Sequence, residues 1–391
     1  MSERYLVLTG AYNNAGDYLI ASRAIALLRR FRPDRTVAEY TRKVISDREF
    51  KDAASTARAV LIAGGPAFRK DLVPGVVPEG INDILDMGVP VILFGVGWKH
   101  YSGTWQDAHR YGLNESTLQL LRVSAQHGYS HSCRDLHSRY IARRHGFDNV
   151  HVTGCPALFR ETGVPASPVI PELVQRIVFS PGVSYLRESG GMTQLLYLAR
   201  ELRTRHPEAT ITAAFHHSLD RETLRSAYGA TSIHVRRYAR TRQLLRLLKS
   251  IGVEISDISG NLDAMRALYD SADAHIGYRV HGHVYMTSGG KPSVLLAEDN
   301  RALGFKDLIG GSIFDAIPKR AYGDGLRARL KQAAARRILK LDSIHDPTAV
   351  LEFALDALQD ELCGDSSSVE LSLSVLRTLE KRMERYLQTL P

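Results

Sequence analysis

The chain has 391 residues, 44% hydrophobic and 24% charged, which is ordinary globular usage and excludes a disordered chain or a coiled coil. At about 150 residues per domain, this length predicts two to three domains. Its 51 Lys+Arg outweigh 42 Asp+Glu, a formal charge of +9. That balance favours anionic partners or a solvated basic surface, and no zinc-finger, RNA-recognition or helix-turn-helix pattern points to nucleic acid.

From the N-terminus, Tyr5-Leu6-Val7-Leu8 is the first of a series of short apolar runs that end in glycine or a small polar residue. No signal-peptide pattern precedes it. The series continues with Ala59–Gly65, Pro90–Gly97, Val150–Gly154, Ile177–Gly182, Ala209–Phe215, Ala274–Gly277 and Ser293–Ala297. Continuous apolar runs of this length suit parallel strands buried on both faces. Helical spacing fills the intervals: Ile20, Ala24, Leu27 and Leu28; then Leu195, Leu196, Ala199 and Leu202; then Leu244, Leu245 and Leu248. Alternating strands and helices predict an α/β protein with two Rossmann-like, doubly wound domains facing a cleft. Three prolines between Pro165 and Pro171 mark the boundary. The expected division is 1–165, 166–318 and a helical C-terminal extension, 319–391. In that extension Val369, Leu373, Leu376, Leu379, Met383, Leu387 and Leu390 form one stripe, which suits packing against the body or a partner subunit better than a membrane surface.

In open α/β sheets ligands gather at the carboxyl ends of strands, so the loops there are the candidates for chemistry. Gly10–Asp17 is a glycine-rich turn opening a helix, without the lysine of a nucleotide P-loop or the dinucleotide glycine spacing. Asp17 is either the helix cap or, with Asn13, a holder of a polar substrate's hydroxyls and a base. Gly64-Gly65 and Gly95-Val96-Gly97 are either plain turns or close-approach points for a ligand. Trp98 suits packing or a sugar face. Arg134-Asp135 is either a charge pair at a helix start or a fork for a carboxylate or phosphate. The richest loop is Gly277-Tyr278-Arg279-Val280-His281-Gly282-His283. There Arg279 can neutralise an oxyanion and His281 can exchange a proton. His281 and His283 with His216 and His217 lack the companion ligands of a closed zinc site, so no metal and no cofactor is expected. Cys133, Cys155 and Cys363 are too scattered for a disulfide framework.

Taken together these loops resemble the polysaccharide pyruvyl transferase family. The likeness runs through Gly10–Asp17, Gly64-Gly65, Gly95-Val96-Gly97, Ser132–Asp135, Thr153–Ala157, Gly277–His281 and Gly290–Val294, about residues 5 to 310. Departures are Val280 where leucine is common, Cys155 where many members carry aspartate, and His283 outside the usual motif. The resemblance implies a GT-B-like fold, phosphoenolpyruvate as donor and a sugar or lipid-linked oligosaccharide as acceptor. The product would be a cyclic pyruvate ketal on an exopolysaccharide, capsule or wall polymer. It places Arg279, His281 and Asp17 in catalysis, and Asn13, Gly16, Gly64, Gly65, Gly97 and Arg134 in substrate binding; His283, beside the motif, is also expected to bind substrate. The expected setting is cytoplasmic, with peripheral membrane association and homo-oligomerisation open. A glycosyltransferase or sugar-nucleotide epimerase of the same architecture is the alternative, and a non-catalytic binder of anionic polymer is a second.

Overall fold

The computed structural model describes residues 3–10, 14–100, 103–186, 189–222, 232–316 and 348–391. Among the described residues twelve strands form two parallel systems. The first is β2 (Thr36–Thr41), β1 (Arg4–Thr9), β3 (Ala59–Ala63) and β4 (Val91–Phe94), in that order. It is extended by the pair β5 (His131–Cys133) and β6 (Val150–Val152) through a bridge between Val96 and Cys133. The second is β12 (Ile313–Asp315), β11 (Ser293–Ala297), β10 (Ala274–Gly277), β7 (Arg176–Ser180), β8 (Thr210–Phe215) and β9 (Glu254–Asp257). Residues 161–175, with their prolines, hold no helix or strand and link the two.

All eight apolar runs form strands. The additional strands have physical reasons for escaping that pattern. β2, β9 and β12 are sheet edges, so residues such as Glu39, Glu254 and Asp315 are acceptable there. β5 is fully buried yet polar, because its side chains serve β4: His131 Nδ1 accepts from the Leu93 N–H (3.0 Å) and Ser132 Oγ from the Gly95 N–H (2.7 Å).

Helices cover the sheets. Those that build the site are α1 (Ala15–Phe31), α2 (Leu136–Arg144), α3 (Leu262–Asp270), α4 (Val280–Ser288) and α5 (Asn300–Ile309), followed by the C-terminal α6 (Ala349–Leu362) and α7 (Ser367–Gln388). α1 buries Ile20, Ala24, Leu27 and Leu28, the face its spacing predicts. One apolar cluster joins β1, β3 and α1 of the first half to α4, α5 and α7 of the second. Arg23, 4% exposed, also crosses this junction, donating from Nη1 to the Ala157 carbonyl and to Ser288 Oγ. Its guanidinium lies over the Tyr285 ring.

The expected stripe of the extension is wholly buried, from Val369 to Leu390. It packs on the protein's own body, because α7 runs back from the second half to the first. Near its start Ser368 meets Ser312 (3.1 Å), and near its end the Tyr386 hydroxyl donates to the Leu93 carbonyl (3.1 Å). Arg32 then donates to the Leu390 carbonyl, and the Tyr5 hydroxyl to that of Pro391. Residues 317–347 of the expected extension lie outside the described residues.

Candidate active site

The carboxyl ends of both sheets face one another, and two helix starts meet there. α1 begins behind Asn14, whose Oδ1 accepts from the Gly16 N–H (3.2 Å). Asn14 is therefore the cap, and Asp17 is left in the first turn. α4 begins behind Arg279. Its second residue, His281, lays its ring against Gly16, so that a Cβ at Gly16 would enter the imidazole. This contact is the physical requirement for glycine at that place: any side chain would push His281 out of the cleft.

A buried polar chain holds the Arg279 turn. Ser180 Oγ accepts from the Arg279 N–H (3.1 Å) and lies 2.8 Å from His275 Nε2. His275 Nδ1 is 3.0 Å from Ser293 Oγ, which is 2.9 Å from His283 Nδ1. Arg279 itself stays half-buried, its Nε donating to the Pro181 carbonyl (2.9 Å).

The charges around His281 are nearly all positive. Burial, then Arg301, Arg134, Arg279 and Arg23, push its pKa down to about 3. His217, at the end of β8, is also pushed down to about 3, first by Arg279 and then by burial and Arg301. The site therefore holds neutral histidines among fixed guanidinium groups. The unperturbed imidazole's titration near neutrality does not hold for His281: bringing a proton to the ring means placing one more cation among arginines. A negative charge placed among these arginines would offset that penalty.

Asp17 behaves oppositely. Burial raises its pKa to about 6, against the pull of Arg42, Arg301 and the Asn14 side chain. Since the unfolded carboxyl ionises first, this group removes stability as pH rises from 3.8 to about 6 and keeps it removed above that. Asp17→Asn is expected to raise stability at pH 7.5 by about 1–3 kcal/mol and to change nothing at pH 3.5. Thermal melts at both pH values check this, and an equal gain at both would contradict it.

The remaining expected site residues are placed as follows. Gly64 (φ +49°) and Gly65 (φ +69°) adopt backbone that other residues avoid; Gly64 packs on Ile20. Gly65 lines a cavity with Gly10, Asp17 and Arg42. Gly97 is a seat for Arg134, whose guanidinium fills the space a Cβ would take. Arg134 is 3% exposed and paired with Asp135 (Nε to Oδ2, 3.3 Å). Asp135 in turn caps α2 by accepting from the Ser138 N–H (2.8 Å). The direct fork on a substrate expected of Arg134 is therefore not available; it acts on His281 through its field. His283, expected among the substrate-binding residues, is 2% exposed and turned into the Ser293–His275 chain. Two residues along a helix rotate a side chain by about 200°, which takes His283 off the cleft that His281 faces. Trp98 is fully buried, stacked near His100 and His137. His216 Nε2 is 2.8 Å from the Tyr269 hydroxyl. Among the described residues no group of three or more His, Cys, Asp or Glu side chains comes together to hold a metal. Asn13 lies outside the described residues.

Sequence reasoning missed the segment after β11. Glu298 accepts from the Val183 (3.1 Å) and Ser184 (2.7 Å) N–H groups and shapes the loop after β7. Asn300 reaches into the first half, its Nδ2 donating to the Trp98 carbonyl (3.0 Å) and its Oδ1 accepting from the His100 N–H (2.9 Å). Arg301 pairs with Asp299 (2.9 Å), which raises its own pKa further, and its charge reaches His281, His217 and Asp17. The signal was present: Glu298-Asp299-Asn300-Arg301 directly follows an apolar strand run.

The family model described as polysaccharide pyruvyl transferase matches residues 14–300. The chain belongs to that family. The matched stretch begins at the cap of α1 and ends at Asn300, so it takes in both sides of the cleft. No curated relative matches the chain. Among solved structures it is similar to trehalose-6-phosphate from E. coli bound with UDP-2-fluoro glucose, at 11% identity, 98% of this chain and 97% of that chain covered, and TM-score 0.50. It is also similar to a UDP-GlcNAc 2-epimerase from Neisseria meningitidis (12% identity; 92% and 100% covered; TM-score 0.42) and to the E. coli ADP-heptose LPS heptosyltransferase II (14%; 92% and 99%; 0.38). The first of these, at 11% identity, shows a likeness of fold alone, a GT-B-like pair of facing α/β halves. The family to which the chain belongs is one of transferases acting on saccharides.

Proposed function

We propose that this pyruvyl transferase family member moves pyruvate from phosphoenolpyruvate to two hydroxyls of a sugar as a cyclic ketal, in the making of an exopolysaccharide, capsule or cell-wall polymer. The observation that carries the reading is the meeting of His281 with Gly16, the chain neighbour of Asp17, across the cleft and inside a ring of arginines. Arg279 and Arg301 attract the donor's phosphate and carboxylate, and the second half holds the donor. As these anions offset the guanidinium charges, His281 takes up a proton and delivers it to the methylene carbon of the enol, which becomes methyl. The first sugar hydroxyl attacks C2 while Asp17 accepts its proton. Phosphate leaves, stabilised by the fixed arginines. The second hydroxyl then closes the ring on C2, and its proton departs with the phosphate. Two hydroxyl hydrogens are thus balanced by one new methyl hydrogen and one proton on phosphate.

The acceptor is a saccharide or lipid-linked oligosaccharide held by the first half, and the setting is cytoplasmic with peripheral association at the membrane. Among the described residues no helix is long and apolar enough to cross a membrane. The test has two arms. Phosphoenolpyruvate at 100-fold its dissociation constant is expected to stabilise the protein by about 2.7 kcal/mol, while a UDP-sugar leaves the melting temperature unchanged. Incubation with phosphoenolpyruvate and a panel of glycans is expected to yield a product about 70 Da heavier than its acceptor by mass spectrometry. Stabilisation by the UDP-sugar alone, with no such product, would favour the glycosyltransferase or epimerase reading.

A further inference from the structure

A cavity of about 280 Å³ opens beside Asp17 on the first-half side of the cleft, lined by Gly10, Gly65, Arg42, Arg69 and Lys99. It is small: binding cavities for drug-sized ligands run from about 300 to 1,000 Å³. There is room for one sugar-sized group. A neutral sugar is usually held by carboxylates and amides that share its hydroxyls. This cavity instead presents three cationic side chains and one carboxyl, and that carboxyl is the one whose ionisation burial disfavours.

The cations are held in place by different means. Arg42 Nη2 donates to the carbonyls of Ala63 (2.7 Å) and Gly64 (3.0 Å), which fixes the guanidinium across the end of β3. Its neighbour there is Gly65, which lines the same cavity; a Cβ at Gly65 would stand 3.9 Å from Arg42 Nη2. Arg69 is oriented by Asp71, donating from Nε (3.0 Å) and Nη2 (3.1 Å). Lys99, exposed, stands at the cavity's edge. These groups belong to the first sheet, whereas Arg279 and Arg301 belong to the second. The molecule therefore has two basic centres with Asp17 between them, and a single small donor needs only one.

We propose that the acceptor is an anionic sugar, whose phosphate or carboxylate is bound in this cavity by Arg42, Arg69 and Lys99 while its hydroxyls face Asp17 and His281. The inference rests on the pyruvyl transfer reading for the identity of the second substrate, but not for the existence of the anion site. The chemistry common to both sources is a compact negative group on a hexose. A sugar phosphate and a uronate differ in charge and shape, and the measurement separates them.

Isothermal titration calorimetry of the full chain with glucose 1-phosphate, glucuronate and glucose decides the question. At least one of the two anions is expected to bind about tenfold or more tightly than glucose, and the tighter of them identifies the phosphate or the carboxylate. Raising the salt should weaken the anion and leave glucose unchanged. Arg42→Gln and, separately, Lys99→Gln should each shrink the difference between anion and glucose. Lys99 is exposed, so its variant remains informative if Arg42→Gln disturbs the end of β3. Equal affinity for all three sugars in the wild type would overturn the proposal, as would discrimination that survives both substitutions. Stabilisation by phosphoenolpyruvate, measured on the wild type, tests the donor reading separately. Loss of that stabilisation with anion discrimination intact would leave this site standing and the donor assignment fallen.

Discussion

His281→Gln is expected to lower ketal formation from phosphoenolpyruvate by about 10²–10⁴-fold, the range supplied by one positioned acid. Glutamine keeps similar bulk against Gly16 and a hydrogen-bonding end, but it has no proton to give at this pH. The ring is only part-buried and sits at the start of α4, so the melting temperature should stay close to that of the wild type. A companion change tests the same contact from the other side. Gly16→Ala adds a methyl group where the imidazole stands, and it should cost activity while leaving His281 chemically intact. The pH dependence follows from Asp17. With its pKa near 6 and a role as base, kcat/KM should rise as pH increases through about 6, and that limb should be lost in Asp17→Asn. Turnover by His281→Gln within tenfold of the wild type would remove His281 from the acid role.

Stopping the chain after Leu362, which removes α7, is expected to abolish cooperative folding. Seven apolar side chains of the segment removed, from Val369 in this helix to Leu390 just after it, are buried against both halves. At about 1.5–3 kcal/mol each, their burial contributes about 10–20 kcal/mol, against a total stability of about 5–15 kcal/mol for a typical native protein. The hydrogen bond from Tyr386 to the Leu93 carbonyl is lost as well. Near-UV circular dichroism and a thermal melt check this, and a sharp transition in the shortened chain would contradict it. A milder probe is Leu379→Ala, 2% exposed in the wild type, with an expected loss of about 2–5 kcal/mol. Because the helix bridges both halves, that loss should appear in a single transition.

What could be read from the residues and what could not divides along local and non-local physics. A strand covered on both faces must be apolar throughout, so β1, β3, β4, β7, β8, β10 and β11 are legible as unbroken runs. The edges β2, β9 and β12 have no such requirement, and β5 spends its polar groups on the backbone of β4. Likewise the glycine turn before α1 and the Arg279–His281 turn before α4 lie where chain-local rules place ligands. The side chains of Arg134 and His283 share those same local features. Whether each one faces a cleft or a neighbour depends on partners distant in the chain: Gly97 and Asp135 for Arg134, Ser293 for His283.

By itself the sequence determined the alternation of strands and helices, the buried stripe of the last helix and the loops able to carry chemistry, since each depends on residues within a few turns of one another. Only the tertiary structure decided that His281 rests on Gly16, that Arg301 joins the arginines around it, and that the ring is neutral among them. Those outcomes come from the summed fields and close contacts of segments distant in the chain, Gly16, Arg23 and Arg134, together with nearer ones such as Arg301, and electrostatic energy depends on distance in space and on burial rather than on separation along the chain.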